Sequence, residues 1–83
     1  MNAADVQTAF GTVLRRAREE RTITQEDLAH VSGVARSFIA KMEAGRRQPT
    51  ITTVFRLAHA LGVEPGVLLA RTAEELGRVP AAH

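Results

Sequence analysis

The sequence predicts an all-α protein, a compact bundle of five short helices. Three observations carry this. Apolar residues recur at three- and four-residue spacing in separate segments, as one buried face of a helix requires. Helix-starting residues (Thr24, Thr50, Pro65) and helix-stopping glycines (Gly33, Gly45, Gly62) punctuate the ends of those segments. No stretch shows the two-residue alternation of a half-buried strand.

The first stripe is Val6, Phe10, Val13, Leu14 and Ala17, and it fades by Arg21 and Thr22. Thr24 opens a short second helix. Its hydroxyl can accept from an orphan amide of the first turn, and Glu26 and Asp27 suit the positive end of the helix dipole. Only Leu28, Ala29 and Val31 are apolar there; Ser32-Gly33 ends the helix, glycine taking the left-handed conformation that closes many helices. A third helix runs from about Ala35 to Ala44 with Ile39 and Met42 inward, and Gly45 stops it. Arg46 to Pro49 is a loop, because proline holds the residue before it extended. Thr50 caps a fourth helix whose Ile51, Val54, Leu57, Ala58 and Leu61 form the next stripe, ended by Gly62. Pro65 begins the fifth at the first helical position, where its missing amide costs little. Val67, Leu68, Leu69 and Leu76 make that segment unusually apolar for a surface helix. Residues 1–78 are expected to form one domain, and 79–83, with His83, a short flexible tail.

Composition excludes several kinds of chemistry. At 83 residues the core is modest, so self-association is a natural way to bury leftover apolar surface. Without cysteine there are no disulfides, thiolate metal sites or cysteine nucleophiles. His30, His59 and His83 share no metal-ligand spacing. The pairs Glu19-Glu20, Glu26-Asp27 and Glu74-Glu75 are adjacent residues, which point in different directions on a helix. No serine sits in a nucleophile elbow and no glycine-rich loop awaits a phosphate. The sequence therefore points away from an enzyme and implies neither metal nor cofactor. No apolar run approaches the roughly 20 residues of a membrane span, and no basic-then-apolar leader begins the chain. A cytoplasmic location with no membrane partner is expected.

The net charge is only +2, but its distribution is uneven. Arg36, Lys41, Arg46 and Arg47 face one acid, Glu43, over the middle of the chain, and Arg15, Arg16, Arg18 and Arg21 outnumber Glu19 and Glu20 before it. A basic middle is what a phosphate-facing surface requires. Residues 24–45 form a capped short helix, a glycine turn and a second, polar and basic helix, the layout of a helix-turn-helix. With Ile39 and Met42 inward, Arg36, Ser37, Ala40, Lys41 and Ala44 lie outward or sideways. Arg36 and Lys41 can donate to guanine acceptors or phosphates, Ser37 can bond either way, and Ala40 permits close approach to a thymine methyl. Phe38 is expected to pack under helix two, against the alternative that it stays partly exposed at a sugar–phosphate edge.

Several groups of residues carry a family likeness: Leu14-Arg15-x-x-Arg18, Thr24-Gln25-Glu26-Asp27-Leu28-Ala29 and Ser32-Gly33-Val34. They continue as Ile39-x-x-Met42-Glu43-x-Gly45-Arg46-x-x-Pro49 and Leu57-Ala58-x-Ala60-Leu61-Gly62-Val63. In this order and spacing, residues from about 7 to 69 resemble the phage-repressor and Cro-type helix-turn-helix family, also called the XRE family. The resemblance implies the five-helix lambda-repressor-like fold and double-stranded DNA as partner. It places Arg36, Ser37 and Lys41 at base-reading positions with Ala40 close by. Gln25 would meet a phosphate through its amide, Arg46 and Arg47 would grip phosphates, and Arg18 would pair with Glu43 to orient the reading helix. Three residues depart from the pattern. Thr22 stands where glycine is usual, which predicts a turn built differently. Ala35 lacks the usual Ser or Thr cap of the reading helix, and Glu64 replaces a small polar cap.

One such helix reads about four to six base pairs, too few to define a genomic site. A homodimer places two reading helices about one DNA turn apart. Val67, Leu69, Ala73 and Leu76 are the candidate self-complementary surface, against the alternative that they fold back on helices one and four. Three functions fit. One is a stand-alone regulator, including the short controller proteins of restriction–modification systems, which the chain resembles in length and layout. Another is an antitoxin binding a protein toxin and operator DNA. The last is a scaffold module that binds protein alone.

Overall fold

The computed structural model describes residues 1–78. They contain five helices: α1 (Ala3–Glu20), α2 (Gln25–Ser32), α3 (Arg36–Glu43), α4 (Ile51–Leu61) and α5 (Pro65–Leu76). No strand occurs among the described residues, and the tail expected at 79–83 lies outside them. The long α1 packs against α3 and α5, α2 against α3 and α4, and α4 against α5.

Local chemistry explains where each helix starts. Asn2 and Asp5 form a reciprocal cap on α1, and Thr24 and Asp27 do the same on α2 at 3.0 Å in each direction. Thr50 caps α4 by accepting from the Thr53 amide at 3.1 Å. The Thr24 backbone N–H, and then its hydroxyl, hold the Asp27 carboxyl below its ordinary pKa. The cap's contribution is thus complete above the ordinary carboxylate pKa and fades as pH falls through the lowered one. Neither Ala35 nor Glu64 supplies a side-chain cap.

The turn after α1 is built on the ordinary plan, contrary to expectation. Thr22 takes φ +55°, the left-handed region. Its amide donates to the Glu19 carbonyl at 3.0 Å and the Ile23 amide to the Arg18 carbonyl at 3.4 Å. That is the double bond pattern of a glycine-terminated helix, carried by a β-branched residue at a local cost of about 1–2 kcal/mol.

The core gathers Phe10, Val13 and Leu14 of α1 with Leu28, Ile39 and Met42 of the central helices. Val54, Leu57, Leu61 and Leu68 close it from α4 and α5. Phe38 is half-buried against this cluster. Ile51 does not join it: as the first residue of α4 it precedes the core and is 67% exposed. Val31 is exposed as well, leaving α2 anchored mainly by Leu28. Thr72 is buried on α5, where its hydroxyl donates to the Leu68 carbonyl at 2.7 Å. Outside the core, Arg16 and Arg78 meet Glu75, and Arg71 meets Glu20, along the α1–α5 seam. Arg16 holds the Glu75 carboxyl below its ordinary pKa.

The close approach of α1 to α3 depends on Gly11. A Cβ there would collide with the Met42 carbonyl oxygen and lie 3.1 Å from that of Glu43. Backbone atoms on both sides cannot give way cheaply. Gly11→Ala is expected to lower unfolding free energy by about 2–3 kcal/mol in a denaturant titration, with α3 displaced. Thr22→Gly is expected to act in the opposite sense. It relieves the left-handed strain but adds unfolded-state entropy, for a net gain of about 0.5–1 kcal/mol by the same measurement.

Candidate nucleic-acid interface

Residues 24–45 form two short helices around a sharp turn. Gly33 ends α2 at φ +72°, its amide donating to the Ala29 carbonyl at 2.9 Å. The Ser32 hydroxyl accepts from the Val34 amide at 3.1 Å, and Val34 plugs the turn into the core. Leu28, Ile39 and Met42 are fully enclosed, fixing which way each helix faces. Arg36, Ser37 and Lys41 are consequently exposed on α3, and Ala40 is half-buried beside them. Past Gly45, Arg46 and Arg47 are exposed in the loop that leads to Pro49.

A polar network ties this face to the rest of the fold. Arg18 reaches from α1 to grip Glu43 at the end of α3 with two bonds, Nε to Oε2 at 2.7 Å and Nη2 to Oε1 at 3.0 Å. Its remaining nitrogen, Nη1, donates to the Ile23 carbonyl at 2.9 Å. The side chains are only 14% and 5% exposed, so this pair is far better shielded than the surface pairs of the molecule. The bond to Glu43 raises the Arg18 pKa above its ordinary value.

Gln25, the first residue of α2, extends the network. Its Nε2 donates to Glu43 Oε1 at 3.0 Å, and its Oε1 accepts from Arg36 Nη1 at 3.2 Å. The expected Arg18–Glu43 pair is therefore present, and Gln25 connects it to Arg36 at the start of α3. An amide nitrogen carries two hydrogens, so one remains after the bond to Glu43. Sequence reasoning did not find this bridge. Its only trace is that Gln25 and Arg36 are the first residues of the two helices, whose starts the turn brings together.

The residues singled out on α5 divide between two flanks. Leu69, Ala73 and Leu76 follow i, i+4 and i+7 along one flank; Leu69 and Ala73 are exposed and Leu76 is half-buried. Val67 is 37% exposed but lies two positions, roughly 200° of helix rotation, from Leu69. Leu68 and Thr72 take the inward face between them. Sequence reasoning missed Phe55. It is 56% exposed on α4 and borders a depression with His59, Val63, Glu64 and Pro65.

Removing one partner of the shielded pair isolates the other. Glu43→Ala is expected to cost about 2 kcal/mol in thermal or chemical unfolding, less than for a fully enclosed pair because Arg18 keeps the Ile23 carbonyl. Combined with Gln25→Ala, the two losses are expected to be less than additive in a double-mutant cycle.

A model of the helix-turn-helix family matches residues 14–68. An HTH-type transcriptional regulator of Sinorhizobium fredii, y4dJ, is 37% identical over 70 residues, spanning 84% of this chain and 91% of that protein. The restriction–modification controller protein C.AhdI from Aeromonas hydrophila superposes with a TM-score of 0.73 at 37% identity, covering 75% of this chain and 94% of that one. The controller protein C.Esp1396I, solved as a tetramer in complex with its natural 35 base-pair operator, gives 0.79 at 27% identity, with 88% and 96% covered. With fold, motif and relatives in agreement, the chain belongs to the XRE family, the phage-repressor and Cro-type helix-turn-helix regulators that bind DNA.

Proposed function

We propose that this chain is a repressor or autoregulator that reads a palindromic operator in double-stranded DNA as a homodimer, working in the cytoplasm as a single domain over residues 1–78. The observation that carries the reading is the outward face of α3 and the loop after it. Arg36, Lys41, Arg46 and Arg47 lie exposed there; Glu43 at the end of α3 is engaged by Arg18 and Gln25, and Glu26 borders a depression with Arg36. A surface rich in cations, on a helix narrow enough for the major groove and the loop after it, is suited to base edges and phosphates. Arg36 and Lys41 act as donors to guanine, Ser37 and Ala40 fit between them, and Arg46, Arg47 and the spare Gln25 hydrogen take phosphates. Arg18 and Glu43 do not touch the bases. They fix how α3 is presented.

Dimerisation in this reading uses the flank of Leu69, Ala73 and Leu76. Pro65 lies on the same flank one turn earlier, and Phe55 borders a depression with Pro65, so apolar surface continues from α5 onto α4. Val67, on the other flank of α5, falls outside this patch. The operator complex of C.Esp1396I, in which that protein is a tetramer, supports assembly on DNA as the working form. No observation on the described residues favours the antitoxin or scaffold readings.

Selection of sites from random duplex DNA tests the whole reading. A two-fold palindrome with half-sites about one turn, roughly 34 Å, apart is the expected result. A folded protein that enriches no sequence overturns it. On the selected site, Arg36→Ala is expected to cost about 1–3 kcal/mol and relax preference at one base pair. Arg46→Ala or Arg47→Ala is expected instead to weaken binding to every sequence and flatten the salt slope by about one unit. In sedimentation, Leu69→Glu is expected to yield monomers at concentrations where the wild type is dimeric, with Val67→Glu changing little.

A further inference from the structure

We propose that Arg15, on α1 and outside the helix-turn-helix itself, is a further phosphate-binding residue of the DNA interface, and that Glu19 restrains it in the free protein. The inference rests on the DNA-binding reading above and extends its footprint onto a third helix.

Thr8, Gly11, Arg15 and Arg18 form one stripe along α1 at helical spacing. Three of them meet the end of α3. A Cβ on Gly45 would lie 3.2 Å from the Thr8 hydroxyl, Gly11 abuts the Met42 and Glu43 carbonyls, and Arg18 grips Glu43. Arg15 shares this face, and with Arg18, Gln25, Ala40, Glu43 and Ala44 it lines a shallow depression of about 300 Å³. Ala40 and Ala44 belong to the outward side of α3. Their small side chains leave the guanidinium of Arg15 unobstructed beside the surface assigned to DNA.

Charge favours an anion there. Glu43 is already matched by the two-bond grip of Arg18, so Arg15 leaves the depression with a net positive charge. The ionic partner of Arg15 is Glu19, one turn along the same helix, held by a single bond of 3.2 Å. The two side chains are 63% and 54% exposed, so water and salt already weaken that bond. A DNA phosphate offers a guanidinium two parallel bonds and releases a counterion. It therefore displaces Glu19. The spare hydrogen of the Gln25 amide borders the same depression.

The test uses the intact protein and a fluorescent mixed-sequence duplex, with affinity measured across a salt series. Arg15→Gln is expected to weaken binding about fivefold at about 0.15 M salt and flatten the log–log slope by about 0.9, the signature of one lost phosphate contact. Glu19→Gln is expected to tighten binding, because the competing carboxylate is gone. Arg46→Ala serves as the reference, and thermal midpoints are recorded for all variants. If Arg46→Ala flattens the slope while Arg15→Gln leaves it unchanged, the role of Arg15 is overturned and the proposed function stands. If Arg15→Gln lowers the thermal midpoint and the affinity at an unchanged slope, Arg15 is a structural residue and the inference fails. If neither variant changes the slope, the phosphate-facing surface itself is misassigned.

Discussion

The presentation of α3 depends on one carboxylate. Glu43 accepts two bonds from Arg18 and one from Gln25, and so joins the end of α3 to α1 and to the start of α2. An eight-residue helix is too short to persist alone in water, and α3 has no side-chain cap at its start. Burial of Ile39 and Met42 fixes which face of α3 turns inward, with Phe38 packed against the same cluster. The Glu43 network ties its last turn to α1 and to the start of α2 as well. Gly11 makes the network possible, because only a residue without Cβ lets α1 come close enough for Arg18 to reach. A shielded ion pair adds little net stability compared with apolar residues of the same shape. In the proposed function its value is orientation.

Punctuation was the most legible part of the chain. Thr24, Thr50 and Pro65 begin helices where the sequence indicates, and Gly33, Gly45 and Gly62 adopt positive φ at or just after their ends. Those signals are local, so a single sequence displays them in full. Thr22 was misread for the converse reason. The local rule asks for glycine, yet Ile23 packs against the core and Arg18 bonds to the Ile23 carbonyl. Tertiary contacts on the next residue hold Thr22 in a conformation it would not choose. Ile51 erred differently. Helical period assigns it to the buried stripe, but period carries no information about where along the helix the neighbouring core begins.

The candidate site was legible in part. That Arg36, Ser37 and Lys41 face outward follows from the inward positions of Ile39 and Met42, which are read from spacing. The pairing of Arg18 with Glu43 does not follow from spacing, since the residues are 25 apart and meet only across a helix interface. Family resemblance supplied it. The bridge from Gln25 to Arg36 was legible by neither route, because it depends on the angle between α2 and α3 and on side-chain lengths. Phe55 shows the same limit: nothing in the α4 pattern says that an aromatic residue off the stripe borders the turn into α5.

Ala35 has a consequence for motion. With no hydroxyl or carboxylate at the cap, the first amides of α3 gain no side-chain acceptor from it, and a helix end in that condition is where opening is least costly. The far end is clamped by Glu43. α3 is thus held unevenly along its length, by one exposed bond from Arg36 to Gln25 at its start and by the shielded Glu43 network at its end. An end held by one exposed bond can adjust to what it meets while the far turn keeps its register. Amide protons of Arg36 and Ser37 should exchange with solvent well before those of the last α3 turn.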